Sequence, residues 1–212
     1  MPQVSLEHFV AGLRSGESLG SFPTDTVPAL ASRPDRADLI FEAKQRNLDK
    51  PLILMAATIE ELWDYVQGSV AERQIWQQTA ERFLPGSLTL VLPASDRVPP
   101  AMNPKDPTNI GVRVPDHAIA QAILAQTGPL ATTSANYSGQ PALQTMTEIA
   151  AQFPQVLTLF PDVLERLQPP SSDSHSRSQP SGVPSTVARW TGCNWEILRQ
   201  GSVTLTGYSL VD

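Results

Sequence analysis

Four short segments constrain this chain most: "PLILMAA" (51–57), "SLTLVLP" (87–93), "IGVRVP" (110–115) and "PLATT" (129–133). Each is short, almost wholly apolar and bounded by proline, glycine or polar residues. That is how a strand reads when both of its faces are covered. Between them run stretches with helical spacing: "ADLIFEAKQR" (37–46), "VAERQIWQQTAERFL" (70–84), "HAIAQAILAQT" (117–127) and "TMTEIAAQF" (145–153). Helices interleaved with buried strands predict an α/β fold, a sheet covered by helices. "STVARW" (185–190) and "WEILRQ" (195–200) predict a hairpin, which makes the sheet mixed.

The remaining elements follow from local signals. Ser5 is placed to cap a helix bearing Leu6, Phe9, Val10 and Leu13, with Gly16 at its stop. "SLGSF" (18–22) predicts a strand ending at Pro23, Asp35 a cap for the second helix, "IEELWDYV" (59–66) a helix and "QVLTLF" (155–160) a strand. Twenty prolines in 212 residues imply many rigid, non-helical connections. "QPPSSDSHSRSQPSG" (168–182) is Pro/Ser-rich and nearly without apolar residues. It reads either as a surface linker or as a lid between the motifs on either side. No internal repeat is present, and one domain spanning 1–212 is expected.

One cysteine, Cys193, excludes a disulfide framework or a multi-cysteine zinc module, and its expected role is packing. No apolar run approaches the ~20 residues of a membrane span, and "MPQVSLEHFV" lacks the features of a signal peptide. A soluble, cytoplasmic protein with no membrane partner is expected. The net charge of −6 argues against a broad phosphate-gripping surface, so an anionic ligand must be held by a few placed cations.

Five stretches carry those cations or the donors to go with them. "EAKQRNLDKPLILMA" (42–56) gathers Lys44, Arg46 and Lys50 at a helix end and the entry to a buried strand. They complement a helix C-terminus or clamp a triphosphate. Arg113, between Val112 and Val114, needs a carboxylate or a ligand, and Arg199 in "ILRQG" repeats the situation. "TTSANYSGQP" (132–141) follows a core strand with hydroxyls, an amide and glycine, which suits either an ordinary turn or a floor for a polyanion. "FPTDTVPAL" (22–30) is similarly open between capping and substrate contact. The three histidines are scattered without metal-ligand spacing, and no nucleophile elbow is present, so no metal residues are assigned.

In order, "FPTDTV", "KQRNLDKPLIL", "FLPGSLTLVLP", "VRVPDH", "TTSANYSG", "PSTV" and "LRQGSV" resemble the YrdC/TsaC family of threonylcarbamoyl-AMP synthases, over about residues 20 to 203. The resemblance implies a twisted mixed sheet around a large concave cavity, in the branch without an extra C-terminal domain. It implies a nucleotidyltransferase that joins L-threonine, bicarbonate or CO2, and ATP into threonylcarbamoyl-AMP and pyrophosphate. Mg2+ is expected with the ATP. Downstream transferase proteins would place the threonylcarbamoyl group on adenosine 37 of tRNA, and weak RNA binding is a further expectation.

Carried onto this chain, Thr26, Arg113 and Ser185 fall at the threonine site. Lys44, Arg46 and Lys50 fall at the triphosphate, with Lys44 and Arg46 as the catalytic cations. Ser134, Asn136 and Arg199 become nucleotide contacts, with Asn109 and Thr145 as further ATP positions. The chain also departs from the family's pattern. It has "TVPAL" for "TVYGL", Asn47 where a proline is usual, "FLPGS" for "WPGP", a Ser/Pro segment for glycines, and no acidic residue flanking "PSTVARW". Two rivals remain at this point. One is the carbamoyladenylate-forming domain of hydrogenase maturation proteins, whose chains are longer and cysteine-rich. The other is a non-catalytic RNA-binding factor.

Overall fold

The computed structural model describes residues 3–45, 48, 50–168 and 181–205. Strand β1 (Gln3–Val4) leads into helix α1 (Leu6–Ser15). Ser5 opens the helix by accepting from the His8 amide at 3.3 Å, and Gly16 closes it in the left-handed region at φ 75°. Arg33 and Arg36 donate to the carbonyls of Arg14, Ser15 and Gly16, so cations meet the negative end of this helix. Strands β2 (Gly20–Phe22) and β3 (Ala29–Ser32) pair antiparallel. Helix α2 (Asp38–Lys44) follows a short 3-10 turn, Pro34–Arg36. Asp35 does not cap it. Its carboxylate is taken by Arg33, at 2.6 Å from Nε and 2.9 Å from Nη2.

The chain continues through β4 (Ile53–Met55), α3 (Val70–Phe83), β5 (Leu88–Pro93), β6 (Asn109–Arg113), α4 (Ala118–Thr127) and β7 (Leu130–Ser134). It ends with α5 (Met146–Gln152), β8 (Thr158–Leu159), α6 (Pro161–Leu167), β9 (Thr186–Trp190) and β10 (Trp195–Arg199). The segment expected as a helix at 59–66 is a 3-10 helix, Glu60–Tyr65. β1, β3 and α6 were not foreseen. Cys193 is exposed at the β9–β10 turn rather than packed inside.

Eight strands form one sheet in the order β10-β9-β5-β6-β4-β7-β3-β2, while β1 and β8 form a separate parallel pair. Within the large sheet only β9–β5 and β4–β6 run parallel, and the other junctions are antiparallel. The alternation of side chains along each strand then separates two faces. Leu30, Leu54, Leu90, Val112 and Ala188 face a core closed by Ile40 and Phe41 of α2, Trp76 and Ala80 of α3, and Ile149 of α5. On the other face, Ala29, Ala31, Met55 and Leu130 pack under Phe9 and Leu13 of α1, Ile123 and Leu124 of α4, and Val163 of α6. Those helices cover that face over β2, β3, the start of β7 and Met55 of β4, while Thr132 and Ser134 at the end of β7 line the opening. Over β4, β6, β5 and β9 the face opens into a cavity.

Helix α3 is tied to the far strand by one carboxylate. Glu72 accepts from the Ser69 amide at 2.9 Å and hydroxyl at 2.7 Å, completing a capping box, and from Trp190 Nε1 at 3.0 Å. These donors, the Ser69 amide first, hold the Glu72 carboxyl below the ordinary carboxylate range. A lowered folded pKa means stability that is present above the unfolded value and lost as pH falls through the folded one. Glu72→Gln should therefore cost about 1 kcal/mol at neutral pH. The deficit should shrink as the wild type is acidified below pH 4.5. Urea midpoints of the two proteins at pH 7 and pH 4 test this.

Candidate active site

The open half-face is a cavity of about 410 Å3. Its floor follows from strand periodicity: Thr89 and Val91 of β5, Asn109, Gly111 and Arg113 of β6, and Val187 and Arg189 of β9 alternate with the buried leucines and valines. The strand registers set these side chains in cross-strand rows. Val187, Thr89 and Met55 lie level with Arg113, while Arg189, Val91, Ile53 and Thr132 lie level with Gly111. Gly111 contributes no side chain, so the middle of the floor stays open.

Arg113 is 3 % exposed, so its charge must be met inside the protein. Asp25, 88 residues away in sequence, accepts from Nη2 at 2.7 Å. Thr26 Oγ1 accepts from Nη1 at 2.9 Å, and the Gly86 carbonyl from Nε at 3.0 Å. Ser87 Oγ donates to the other Asp25 oxygen at 2.8 Å. Burial lowers the Arg113 pKa and the Asp25 charge opposes it, so the guanidinium stays protonated. The Thr24–Thr26 turn is rigid: Thr24 Oγ1 donates to the Val27 carbonyl at 2.7 Å and accepts from the Thr26 amide at 3.2 Å. The amides of Ser181 and Gly182 donate to the Asp25 and Thr26 carbonyls, both at 3.0 Å, which brings Ser185 to the same corner.

Arg199 reaches the cavity through a bulge. The β9–β10 register shifts between Ile197 and Arg199, so Leu198 and Arg199 together face Val187 and both line the cavity. Arg199 donates to the Ser185 carbonyl from Nε at 3.0 Å and Nη2 at 2.9 Å, and to Ser185 Oγ at 3.2 Å. Ser185 Oγ in turn bonds Thr89 Oγ1 at 2.9 Å. Burial first, and then the like charge of Arg113, lower the Arg199 pKa. Among the described residues, Arg199 has no carboxylate in hydrogen-bond or ion-pair contact.

Six of the residues singled out from the sequence therefore line one cavity: Thr26, Asn109, Arg113, Ser134, Ser185 and Arg199. Lys44 stands directly behind it, 1 % exposed, with Nζ donating to the Ser134 carbonyl and, at 3.4 Å, to Asn136 Oδ1. Ser134 Oγ donates to that same Asn136 oxygen at 2.6 Å. Lys50 is exposed, with Nζ 3.4 Å from Ser138 Oγ. Thr145 is elsewhere: it caps α5 by accepting from the Glu148 amide at 3.2 Å, and it does not line the cavity. Arg46, and residues 169–180 of the expected lid, lie outside the described residues.

Asp25, Ser87, Thr89, Asp106 and Arg189 belong to this region without having been singled out. Arg113 between two valines signalled that a carboxylate or ligand was needed, and "PTDT" held that carboxylate. Among the described residues Asp106 is the one acidic lining residue, and its carboxylate is bonded by the Thr108 amide at 3.3 Å and by the Thr108 hydroxyl. Among the described residues, no group of three His, Cys, Asp or Glu could hold a metal ion. Mg2+ takes most of its ligands from substrate phosphates and water, and Asp106 is the carboxylate that the described lining residues offer it. No described helix is long and apolar enough to cross a membrane.

Comparison with known proteins places the chain among relatives of known name. A threonylcarbamoyl-AMP synthase of Photobacterium profundum is 33% identical over 158 residues, 73% of this chain and 84% of that protein. One from Bacillus subtilis is 38% identical over 148 residues, 66% of this chain and 40% of that protein. The crystal structure of P. abyssi Sua5 complexed with L-threonine superposes with a TM-score of 0.75 at 30% identity. It covers 92% of this chain, which spans 54% of that one. A sequence model of the Sua5/YciO/YrdC family, described as telomere recombination, matches residues 13–201. The chain belongs to the Sua5/YciO/YrdC family.

Proposed function

We propose that the protein is an L-threonylcarbamoyladenylate synthase acting in the cavity over β4, β6, β5 and β9. The observation that carries this reading is the pairing of two guanidiniums, Arg113 and Arg199, over one bonded carboxylate, Asp25. An excess of positive charge in a half-closed hollow calls for an anionic ligand. The family supplies two such ligands, an amino acid with its carboxylate and a nucleoside triphosphate.

In this reading Arg113 receives the threonine carboxylate through its remaining N–H groups, since Nη1 and Nη2 each spend one donor on Thr26 and Asp25. The Thr26 and Ser185 hydroxyls lie within the same corner and orient the amino acid. The neutral amine of threonine adds to CO2, giving a carbamate and a proton. A carbamate oxygen then attacks the α-phosphorus of ATP, the Pα–O bond to the β-phosphate breaks, and pyrophosphate leaves. Two anions must approach each other, so fixed cations lower the barrier by aligning them and offsetting their repulsion. Arg199 and Lys44 supply that charge, with Ser134 and Asn136 at the nucleotide. Arg46 and Lys50 join them on the strength of the sequence resemblance. Asn109 stands at the far end of the β6 floor, four residues from Arg113, or roughly 13 Å along the strand. Mg2+, where bound with the triphosphate, would supply further positive charge to offset its oxygens. A tRNA-modifying transferase acting at adenosine 37 consumes the adenylate.

The decisive assay is pyrophosphate release from ATP in bicarbonate with threonine, with serine and without amino acid. Release should depend on threonine, and Arg113→Ala or Arg199→Ala should lower kcat/KM by about 100-fold or more. Equal release without an amino acid would defeat the assignment. Asp25→Asn has a different signature. It strands a guanidinium at 3 % exposure without its counter-charge, and should cost about 3–5 kcal/mol of stability by chemical denaturation.

A further inference from the structure

We infer that Arg189 is an additional phosphate-binding residue, contacting the terminal phosphates of ATP and the pyrophosphate released from them. This rests on the synthase reading above. Arg189 lines the cavity on β9, in the row next to that of Val187 and Arg113. One such step along a strand, two residues, is about 7 Å. Its row crosses Val91 and Gly111, the bare part of the floor, so the space beside it is open to a ligand.

The guanidinium rests on Glu196, its direct cross-strand neighbour on β10. The rest is incomplete. Nε at 3.1 Å and Nη2 at 2.6 Å both donate to a single oxygen, Oε2, and among the described residues Nη1 makes no hydrogen bond. The two side chains are 46% and 48% exposed, which leaves such a pair marginal in water. A polyphosphate offers several oxygens in a planar match to the guanidinium and a larger charge. Glu196 is therefore a placeholder that phosphate displaces. The other carboxylate nearby, Asp106, is held by Thr108. Because Arg189 stands at the exposed side of the cavity, it meets the part of the nucleotide that must leave to solvent.

Four proteins test this: wild type, Arg189→Ala, Glu196→Gln and the exchanged pair Arg189→Glu/Glu196→Arg. Steady-state pyrophosphate release gives KM for ATP and for threonine. Pyrophosphate inhibition gives a constant for the leaving group, and thermal melts report the ion pair. Arg189→Ala should raise both the ATP KM and the pyrophosphate inhibition constant about tenfold, with the threonine KM unchanged. Glu196→Gln should lower the ATP KM or leave it unchanged. The exchanged pair should melt like wild type yet match Arg189→Ala in ATP KM. If Arg189→Ala and Glu196→Gln both lower the melting temperature and neither moves the ATP KM, the pair is only a cross-strand brace and the inference fails. Failure of wild type to bind a non-hydrolysable ATP analogue in calorimetry would instead overturn the synthase reading itself.

Discussion

A guanidinium set into an apolar strand forces much of what surrounds it. Arg113 lies between Val112 and Val114, both buried, and could not be left uncompensated there. The fold meets it with a carboxylate from the loop between β2 and β3, a hydroxyl from the same loop and a carbonyl from the turn before β5. Three separate segments thereby become one corner. Breaking a buried pair costs more than forming it returns, so Asp25 serves to fix the position of Arg113 more than to add stability.

The sheet explains why this corner belongs to a cavity. Both faces are apolar over β3 and the start of β7, Leu130 and Ala131, and helices pack on both there. Over β5, β6 and β9 one face keeps its leucines and valines while the other carries Thr89, Gly111, Arg113, Val187 and Arg189. A mixed face of that kind does not favour an apolar helix. Leaving it uncovered yields a polar-lined hollow on a rigid floor, where strand geometry fixes the spacing of the functional groups.

Much of this was legible in the chain. The apolar strands, the caps at Ser5 and Gly16, the late hairpin and the need of Arg113 for a partner all follow from local chemistry. What escaped reading has identifiable causes. "ALAS" carries too little β-branched or aromatic character to announce β3, and only pairing with β2 and β7 makes it a strand. Asp35 had two available roles, and Arg33 two residues before it won. Thr145, expected at the nucleotide from the resemblance, also caps α5. Arg199 gives no hint that a bulge turns it into the cavity, because register is a property of two strands together. Arg189 alternates with Ala188 and Trp190 as any exposed strand residue would.

The cations of the site differ in what already holds them, and that difference sorts their roles. Arg113 is matched by a full carboxylate charge, so it offers geometry with little net field. Arg199 bonds a carbonyl and a hydroxyl, which orient it without neutralising it. Lys44 donates to the Ser134 carbonyl and the Asn136 amide oxygen. In the proposed reading Arg199 suits a triphosphate, having no carboxylate contact among the described residues, while Arg113 suits the single charge of an amino-acid carboxylate. Side chains fixed before the ligand arrives lose little entropy on binding and need little reorganisation as charge moves from the carbamate to the leaving pyrophosphate. An acidic protein can bind two anions side by side in this way, because the local bonding of each cation, and not the net charge, decides what the cavity accepts.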